Sequence, residues 1–241
     1  YQGSILSQLK ETQVKGSLLA LRNEMLKVHS LDLLSPAQLR LKTRSADGQL
    51  GLGGQRLSAY LYELGKEKRE ALKKRLKEVY GQLESIDTKS LRSGWKQLGV
   101  KERFGNQSLS TPAEHINDGM LRLMAVLSQL DSDQHFLIFD EIENGINPEL
   151  VEFLVDALVS SNHQVLVTTH SPLILNYLQD DVAKEGVIYL YKTTKGATQA
   201  IPLFSIPSMA EKLSVMGPGE VFVDTHLSEL AEEIRQIDGG K

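Results

Sequence analysis

Four apolar residues followed directly by two carboxylates are the feature that most restricts how this chain can fold. The apolar run is Phe136–Phe139, and Asp140 and Glu141 follow it. Such a run predicts a buried strand of a parallel sheet, and ligands of open α/β sheets bind at the carboxyl ends of strands. An adjacent carboxylate pair at that edge favours a cation, such as Mg²⁺ on a nucleotide. The alternative is a strand that ends in a solvated Asp-Glu turn.

A helix is predicted upstream of this strand, because Leu123, Met124, Leu127 and Leu130 recur at helical spacing. Asn117 or Asp118 can cap its start, and Gly119 allows another group to approach its first turn closely. Free N–H groups at a helix N-terminus can bind phosphate, although an ordinary capped helix has the same pattern.

A second strand is predicted downstream, over residues 164–168, and it ends in Thr169, His170, Ser171 and Pro172. The proline suits the first turn of a following helix. A single histidine after a strand is more often structural than catalytic. A histidine beside a strand that ends in Asp-Glu is a better candidate.

In this order the three segments resemble the C-terminal half of an ABC-type ATPase head, over roughly residues 106–180. Residues 116–120 look like the signature loop, residues 136–140 like Walker B, and residues 142–148 like the D-loop. Glu141 stands where the family has its catalytic glutamate and His170 where it has the switch histidine. The runs Glu-Asn-Gly-Ile-Asn-Pro and Thr-Thr-His-Ser-Pro are similar to the predicted AAA/ABC ATPases related to RecF, SMC heads and the OLD and Septu-type defence proteins.

The resemblance implies an α/β fold, namely the C-terminal lobe of an ABC-type P-loop ATPase head with a mostly parallel sheet, flanking helices and a helical arm subdomain. It implies ATP and Mg²⁺ as cofactors, with Asp140 holding the metal and Glu141 and His170 as catalytic residues. It also implies a head-to-tail homodimer in which one copy contacts the nucleotide of the other through Asn117, Asp118, Gly119, Gly145 and Asn147. Two departures are Asn117, where the commoner signature has Ser, and Met120, where it often has Gln or Thr.

The phosphate-binding Walker A loop of this family is missing from the sequence. Residues 51–54 are rich in glycine, but no Lys follows them as a P-loop requires, so they predict a turn before a helix that starts near Gln55. We expect an N-terminal ATPase lobe to be supplied by the same protein or by another chain. The 241 residues alone are expected to bind ATP poorly.

Three segments are expected along the chain. Residues 1–56 are a mixed segment that opens with a helical pattern from Leu6 to Val28, and residues 57–105 are a basic helical arm. Residues 106–241 are the C-terminal ATPase lobe. Apolar spacing predicts one amphipathic helix from Lys66 to Leu83, strands after it, a hairpin around residues 193–197, and a closing helix from Leu227 to Ile237.

Charge is distributed unevenly, although the net value is only −4. Residues 66–103 carry 12 Lys and Arg against 6 Asp and Glu, and residues 104–241 carry 7 against 20. A basic helix face is usually solvated, and interleaved glutamates here allow local pairing. It can also contact the DNA backbone. Sequence alone leaves both interpretations open.

Three functions are compatible with these motifs. The first is an ATP-hydrolysing, dimerising head coupled to DNA repair or maintenance or to anti-phage defence, with DNA on residues 66–103 and an effector nuclease as a partner. The second is the nucleotide-binding subunit of a transporter, and the third is a non-hydrolysing module that senses ATP. The chain has no cysteines, no visible signal peptide and no run near the roughly 18 apolar residues of a membrane span, so a cytoplasmic location is expected.

Overall fold

The computed structural model describes residues 8–239 and divides into two compact units, which meet in the chain between Thr168 and Thr169. The first unit opens with a short 3-10 helix, Glu11–Gln13, and helix α1, Ser17–Met25. Strand β1, Val28–Leu31, and helix α2, Pro36–Leu39, come next. The predicted helical pattern begins at Leu6, which lies outside the described residues.

Val28 belongs to strand β1, so the prediction that it continues a helix is wrong. The helix ends at Met25, and Val28–Leu31 pairs in parallel with the strand Phe136–Phe139. The pairing provides hydrogen bonds for the backbone of these residues and accompanies the burial of Leu31. These tertiary contacts outweigh the helical propensity that the spacing of apolar residues suggests.

The arm consists of two helices packed on an antiparallel sheet. Helix α3 spans Leu57–Glu63 and helix α4 spans Gly65–Val79. Strands β2, Leu83–Ser90, β3, Lys96–Phe104, and β4, Gln107–Pro112, pair in sequence order. The predicted helix to Leu83 is therefore too long, since the chain leaves the helix after Val79 and Leu83 begins a strand. A 3-10 turn, Arg92–Gly94, joins β2 and β3.

A second, parallel sheet forms the centre of the first unit. After a short 3-10 helix, Ala113–His115, helix α5 spans Asp118–Leu130 and precedes strand β5, Phe136–Phe139. A 3-10 turn, Pro148–Leu150, leads into helix α6, Val151–Val159, and strand β6, Gln164–Val167. The strand order is β1-β5-β6, all parallel, which confirms the predicted α/β sheet with flanking helices.

The two faces of this sheet differ in how they are covered. Leu31, Leu137 and Phe139 point to one face and are buried. On the other face Val28 is 41% exposed and Leu166 is 47% exposed. Within residues 8–239, β6 pairs only with β5, so its second edge has no strand partner. Parallel sheets are normally covered on both faces, so this face and edge are incomplete within the described chain.

The second unit is smaller and has its own core. A 3-10 segment, Pro172–Tyr177, precedes helix α7, Asp180–Gly186, and the antiparallel strands β7, Ile188–Lys192, and β8, Thr198–Pro202. After a 3-10 turn, Leu203–Ser205, helices α8, Pro207–Leu213, α9, Pro218–Val223, and α10, Leu227–Gly239, complete it. The predicted hairpin and closing helix are confirmed.

Asp180 and Asp181 are the first two residues of helix α7. They occupy the first turn of α7, where carboxylates stabilise the helix dipole. Within the described chain, no helix combines the length and the apolar character needed to cross a membrane.

Candidate active site at the carboxyl edge of the parallel sheet

The carboxyl ends of the three parallel strands bring polar residues to one edge of the first unit. Asp32 follows β1, Asp140 and Glu141 follow β5, and Thr168 follows β6. Backbone hydrogen bonds hold the three ends in register: Asp140 N donates to the Leu31 carbonyl at 3.1 Å, and Thr168 N donates to the Phe139 carbonyl at 3.0 Å. The carboxylate pair therefore lies where open α/β sheets bind ligands.

Thr168 joins the two carboxylate residues through its side chain. Its hydroxyl donates a short hydrogen bond to Oδ1 of Asp140 and accepts one from the backbone N–H of Glu141 at 2.9 Å. Sequence reasoning noticed the polar end of β6 but assigned no role to this threonine. The available signal was a hydroxyl residue at the end of a strand predicted to lie beside the Asp-Glu strand.

Glu141 has an unusual backbone conformation, with φ at +44°. This left-handed region is unfavourable for a residue with a β-carbon, and non-glycine residues in it cluster at functional sites. The turn that follows is held by Asn144 N, which donates to the Glu141 carbonyl at 3.0 Å. The Asn144 amide also donates to Oε2 of Glu141 at 3.3 Å. The two hydrogen bonds from Asn144 therefore hold both the backbone and the carboxylate of Glu141 in this turn.

A second cluster of predicted site residues lies at the start of α5. Asn117 caps this helix, and its side-chain oxygen accepts from Met120 N at 2.7 Å. A methyl group on Gly119 would lie 3.4 Å from the Gly145 carbonyl oxygen, so these two glycines allow close contact between the helix start and the loop after β5. The structure brings together the signature-like and D-loop-like residues that are distant in sequence.

These residues line an open cleft of about 660 Å³, whose walls are Tyr80, Asn117, Asp118, Gly119, Gly145, Ile146, Asn147 and Leu150. Tyr80 comes from the end of the arm helix and was missed by sequence reasoning, because it is one of many residues on an amphipathic helix. Burial, together with the charge of Glu102, raises the pKa of its phenol to about 12. The hydroxyl is therefore neutral at physiological pH and can donate a hydrogen bond into the cleft.

Asp118 differs from the other cleft residues because its carboxylate is already paired. Arg40, at the end of α2, forms a short ion pair with Asp118 and donates to the Ile116 carbonyl at 2.7 Å. This contact fixes the loop before α5 to the segment that follows β1. The charge of Asp118 is partly balanced by Arg40, which reduces its repulsion of an anion in the cleft.

His170 lies in the second unit, two residues after Thr168. The 3-10 segment that follows it begins at Pro172, as the sequence predicts for a proline at a first helical position. The catalytic role that the resemblance implies for His170 stays a prediction.

The donor set at Asp140 fits Mg²⁺ bound to a nucleotide better than a metal held by protein alone. No group of three or more His, Cys, Asp or Glu side chains that could hold a metal occurs among residues 8–239. Mg²⁺ usually takes one or two carboxylates, with waters and substrate phosphates as its other ligands. One carboxylate with an adjacent threonine hydroxyl meets that requirement.

Comparison with known proteins places the chain in a family. Residues 26–176 match the family described as "AAA domain, putative AbiEii toxin, Type IV TA system". The chain belongs to this family. The match includes both the Asp140–Thr168 edge and the cleft at Gly119. The chain is therefore a member of the ABC/AAA-type ATPase class.

One curated relative is the "Uncharacterized ABC transporter ATP-binding protein YfmR" of Bacillus subtilis (strain 168), which is 25% identical over 135 residues. The alignment covers 55% of this chain and 21% of that protein, so the chain spans about a fifth of the relative's length.

Two solved structures resemble the chain weakly. One, described as "Structural biochemistry of ATP-driven dimerization and DNA stimulated activation of SMC ATPases", has a TM-score of 0.41 at 16% identity, over 62% of this chain and 95% of that chain. The other is the Smc head domain with a coiled coil and joint from Pyrococcus yayanosii, with a TM-score of 0.44 at 14% identity, over 77% of this chain and 30% of that chain. Neither likeness is close enough to carry an argument about this protein.

Proposed function

We propose that the chain is the C-terminal part of an ATP-hydrolysing head that dimerises around ATP. The observation that carries this proposal is the linked set Asp140, Glu141 and Thr168 at the carboxyl end of the central parallel strand. Hydrolysis of a γ-phosphate requires mainly positioning and charge stabilisation, with a carboxylate that orients and deprotonates the attacking water. The strained backbone of Glu141 supports this role, because a binding module has no use for a general base held at such a cost.

Asp140 would hold Mg²⁺, whose charge offsets that of the phosphates when the ion is bound. In this assignment Thr168 holds the Asp140 carboxylate in place, and Glu141 acts on the water. His170 would donate to the γ-phosphate. In the sequence, Glu141 follows β5 after one intervening residue, and His170 follows β6 after two.

The cleft at the start of α5 supports a second contact with nucleotide, from the other copy of a dimer. Its residues are Asn117, Gly119, Gly145 and Asn147, with Asp118 paired to Arg40. We expect the free N–H groups at the start of α5 to face a phosphate in this cleft, where Gly119 and Gly145 have no side chains. A head-to-tail homodimer would place this cleft against the carboxylate edge of the partner.

A phosphate-binding lobe from outside the 241 residues completes the proposal. The glycine-rich residues 51–54 do not supply a P-loop, because they form a turn in which Gly54 N donates to the Gly51 carbonyl at 3.0 Å. The unpaired edge of β6 and the exposed sheet face at Val28 and Leu166 are surfaces on which another strand and helix layer can pack. Helix α1 adds exposed apolar side chains in the same unit, namely Leu18, Leu19, Leu21 and Met25.

Coupling to DNA is a further part of this proposal, as in repair, maintenance or anti-phage defence with an effector nuclease as partner. Of the basic residues on α4, Arg69 donates to backbone carbonyls, Lys73 pairs with Glu70, and Arg75 pairs with Asp131. Exposed Lys68, Lys74 and Lys77 form no ion pair with the described residues and are available to phosphate. The only Trp, Trp95, is 41% exposed and lies under the Arg44 guanidinium at 5.3 Å.

The test is Mg²⁺-ATP turnover by the natural protein or complex that contains this chain, with and without duplex DNA. Glu141→Gln is the matched blank, because it keeps the side-chain shape and removes the base. We expect turnover that the substitution lowers by about 10²- to 10⁴-fold, and stimulation by DNA. Tight ATP binding without turnover in the unsubstituted protein would support the sensing module instead. Activity only in complex with a membrane protein would support the transporter subunit.

A further inference from the structure

Arg122 is a buried cation that the proposed reaction does not yet use. It lies on α5, two residues after the signature-like loop, and is 3% exposed, between the buried apolar residues Leu121 and Leu123. Its Nε atom is buried and has no hydrogen-bond partner within residues 8–239. An arginine in this position is unusual, because arginines are almost never fully buried unless they are paired.

The guanidinium lies directly against the loop that follows Glu141. A methyl group added to Gly145 would lie 3.3 Å from Nε and 3.6 Å from Nη2 of Arg122. Gly145 has φ at +69°, a left-handed conformation that favours glycine. Its side-chain position faces Arg122, and its carbonyl oxygen would lie 3.4 Å from a methyl group on Gly119.

Three carboxylates from different elements act electrostatically on the same guanidinium. Asp118 is in the first turn of α5, Asp32 follows β1, and Glu141 follows β5; each interacts electrostatically with Arg122. Burial lowers the pKa of Arg122, and these three charges oppose that shift. The charge of Arg122 is therefore coupled to carboxylates at the start of α5 and at the ends of two strands.

Burial of a charge without good hydrogen bonds opposes folding, and apolar side chains of similar volume are often as stable or more stable in such places. A methionine would fill a similar volume without the buried charge. The contact between the guanidinium and the Gly145 turn indicates what the charge does here.

We propose that Arg122 is a positioning residue that holds the loop of residues 141–147 against the start of α5 and so fixes Glu141 and Gly145 relative to each other. The expected effect on ATP turnover rests on the proposed ATPase function. The expected effect on the loop of residues 141–147 does not depend on that function. Arg122 would then make Glu141 and the cleft at the start of α5 move together. Glu141 acts on one nucleotide, whereas the cleft contacts the nucleotide of the other copy.

Amide hydrogen exchange of this chain tests the structural part without nucleotide. Arg122→Met removes the charge and keeps the volume, Arg122→Lys keeps the charge, and Gln129→Leu is the matched control. Gln129 is on the same helix, 1% exposed, with a buried Nε2 that has no hydrogen-bond partner among residues 8–239. We expect the amides of Asn144 and Ile146 to exchange at least about 5-fold faster in Arg122→Met alone, with melting within about 2 °C of wild type.

Unchanged exchange of these amides in Arg122→Met would overturn the proposal. So would faster exchange throughout the first unit with a large fall in melting temperature, since Arg122 would then be a structural core residue. Equal loop exchange in Arg122→Met and Gln129→Leu would also contradict a specific role in the loop.

Kinetics of the natural protein or complex test the second part. We expect Arg122→Met to lower kcat for ATP at least about 10-fold with KM within threefold, and Arg122→Lys to recover most of kcat. An unchanged kcat in Arg122→Met would overturn the kinetic part. If the unsubstituted protein has no turnover, the proposed function fails, whereas the exchange result still decides whether Arg122 positions the loop.

Discussion

The backbone N–H of Glu141 donates a hydrogen bond to the Thr168 hydroxyl at 2.9 Å, and the same hydroxyl donates to the Asp140 carboxylate. One side chain at the end of β6 thus fixes two consecutive residues at the end of β5. The left-handed backbone of Glu141 persists because this bond and the turn through Asn144 both hold it. The orientation of the carboxylate pair therefore depends on the neighbouring strand as well as on the strand that carries it.

Replacement of Thr168 by Val tests this dependence. The change keeps the shape of the side chain and removes both hydrogen bonds of the hydroxyl, so we expect ATP turnover to fall about 10- to 100-fold, as when a side chain that orients a metal ligand is removed. The free energy of unfolding should fall by about 1–3 kcal/mol. Turnover assays and thermal melts of the natural protein or complex measure the two effects.

Thr88→Val is the matched control for this substitution. Thr88 lies on β2 in the arm, and its buried hydroxyl oxygen has no hydrogen-bond partner in the part of the chain that the structure describes. The control should leave turnover unchanged and stability unchanged or slightly higher. Equal losses in both variants would mean that Thr168 has no special role at the carboxylate edge.

Replacement of Glu141 by Asn separates strain from catalysis. Asn tolerates the left-handed region better than other residues with a β-carbon, so Glu141→Asn should raise the free energy of unfolding by about 1 kcal/mol and abolish turnover. Glu141→Gln keeps the strain, so it should abolish turnover without a gain in stability. Calorimetry of both variants compares them directly, and equal melting temperatures would show that the conformation at φ +44° is not strained.

The central sheet was predictable because its pattern is local. The apolar run Phe136–Phe139, with carboxylates directly after it, specifies a buried parallel strand, and the structure has it as β5 at the centre of the sheet. Asn117 was one of two candidate caps, and the structure selects it through the 2.7 Å bond from Met120 N. Both features depend on residues that are close together in the sequence.

Features that depend on distant contacts were not predictable. Val28 continues a helical pattern and becomes a strand only because β5 lies beside it. Arg122 and Tyr80 look like ordinary helix residues until folding places one under Gly145 and the other beside Gly119. Thr168 acquires its role through a strand pairing that spans the whole of α6. A single sequence contains no local signal for such contacts.

Replacement of Gly119 by Ala tests the cleft at the start of α5. A methyl group there would lie 3.4 Å from the Gly145 carbonyl and 3.6 Å from the Tyr80 hydroxyl, distances that the fold can accommodate. It would occupy part of the cleft in which we propose that a phosphate binds. We expect unchanged stability and ATP-driven dimerisation weakened at least about 10-fold, measured by analytical ultracentrifugation in the Glu141→Gln background. Gly186→Ala, where nothing lies within 4 Å, is the control and should dimerise normally.

Replacement of Lys68, Lys74 and Lys77 together by Gln tests the basic face of α4. These side chains are exposed and form no ion pair with other described residues, so their removal should leave the melting temperature unchanged. If the face binds the DNA backbone, each lost phosphate contact should reduce the slope of log affinity against log salt concentration by about 0.9. Fluorescence anisotropy with a labelled duplex between 50 and about 200 mM salt measures this slope.

Lys195→Gln, in the turn between β7 and β8, shows how far a lysine outside the arm contributes to the measured slope. We expect the single control to leave both affinity and slope unchanged, and the triple variant to bind any duplex sequence equally weakly, because phosphate contacts carry no sequence information. A triple variant with the affinity of the unsubstituted protein would mean that α4 is only a solvated face. The interleaved glutamates at Glu67, Glu70 and Glu78 would then account for the pattern through local pairing.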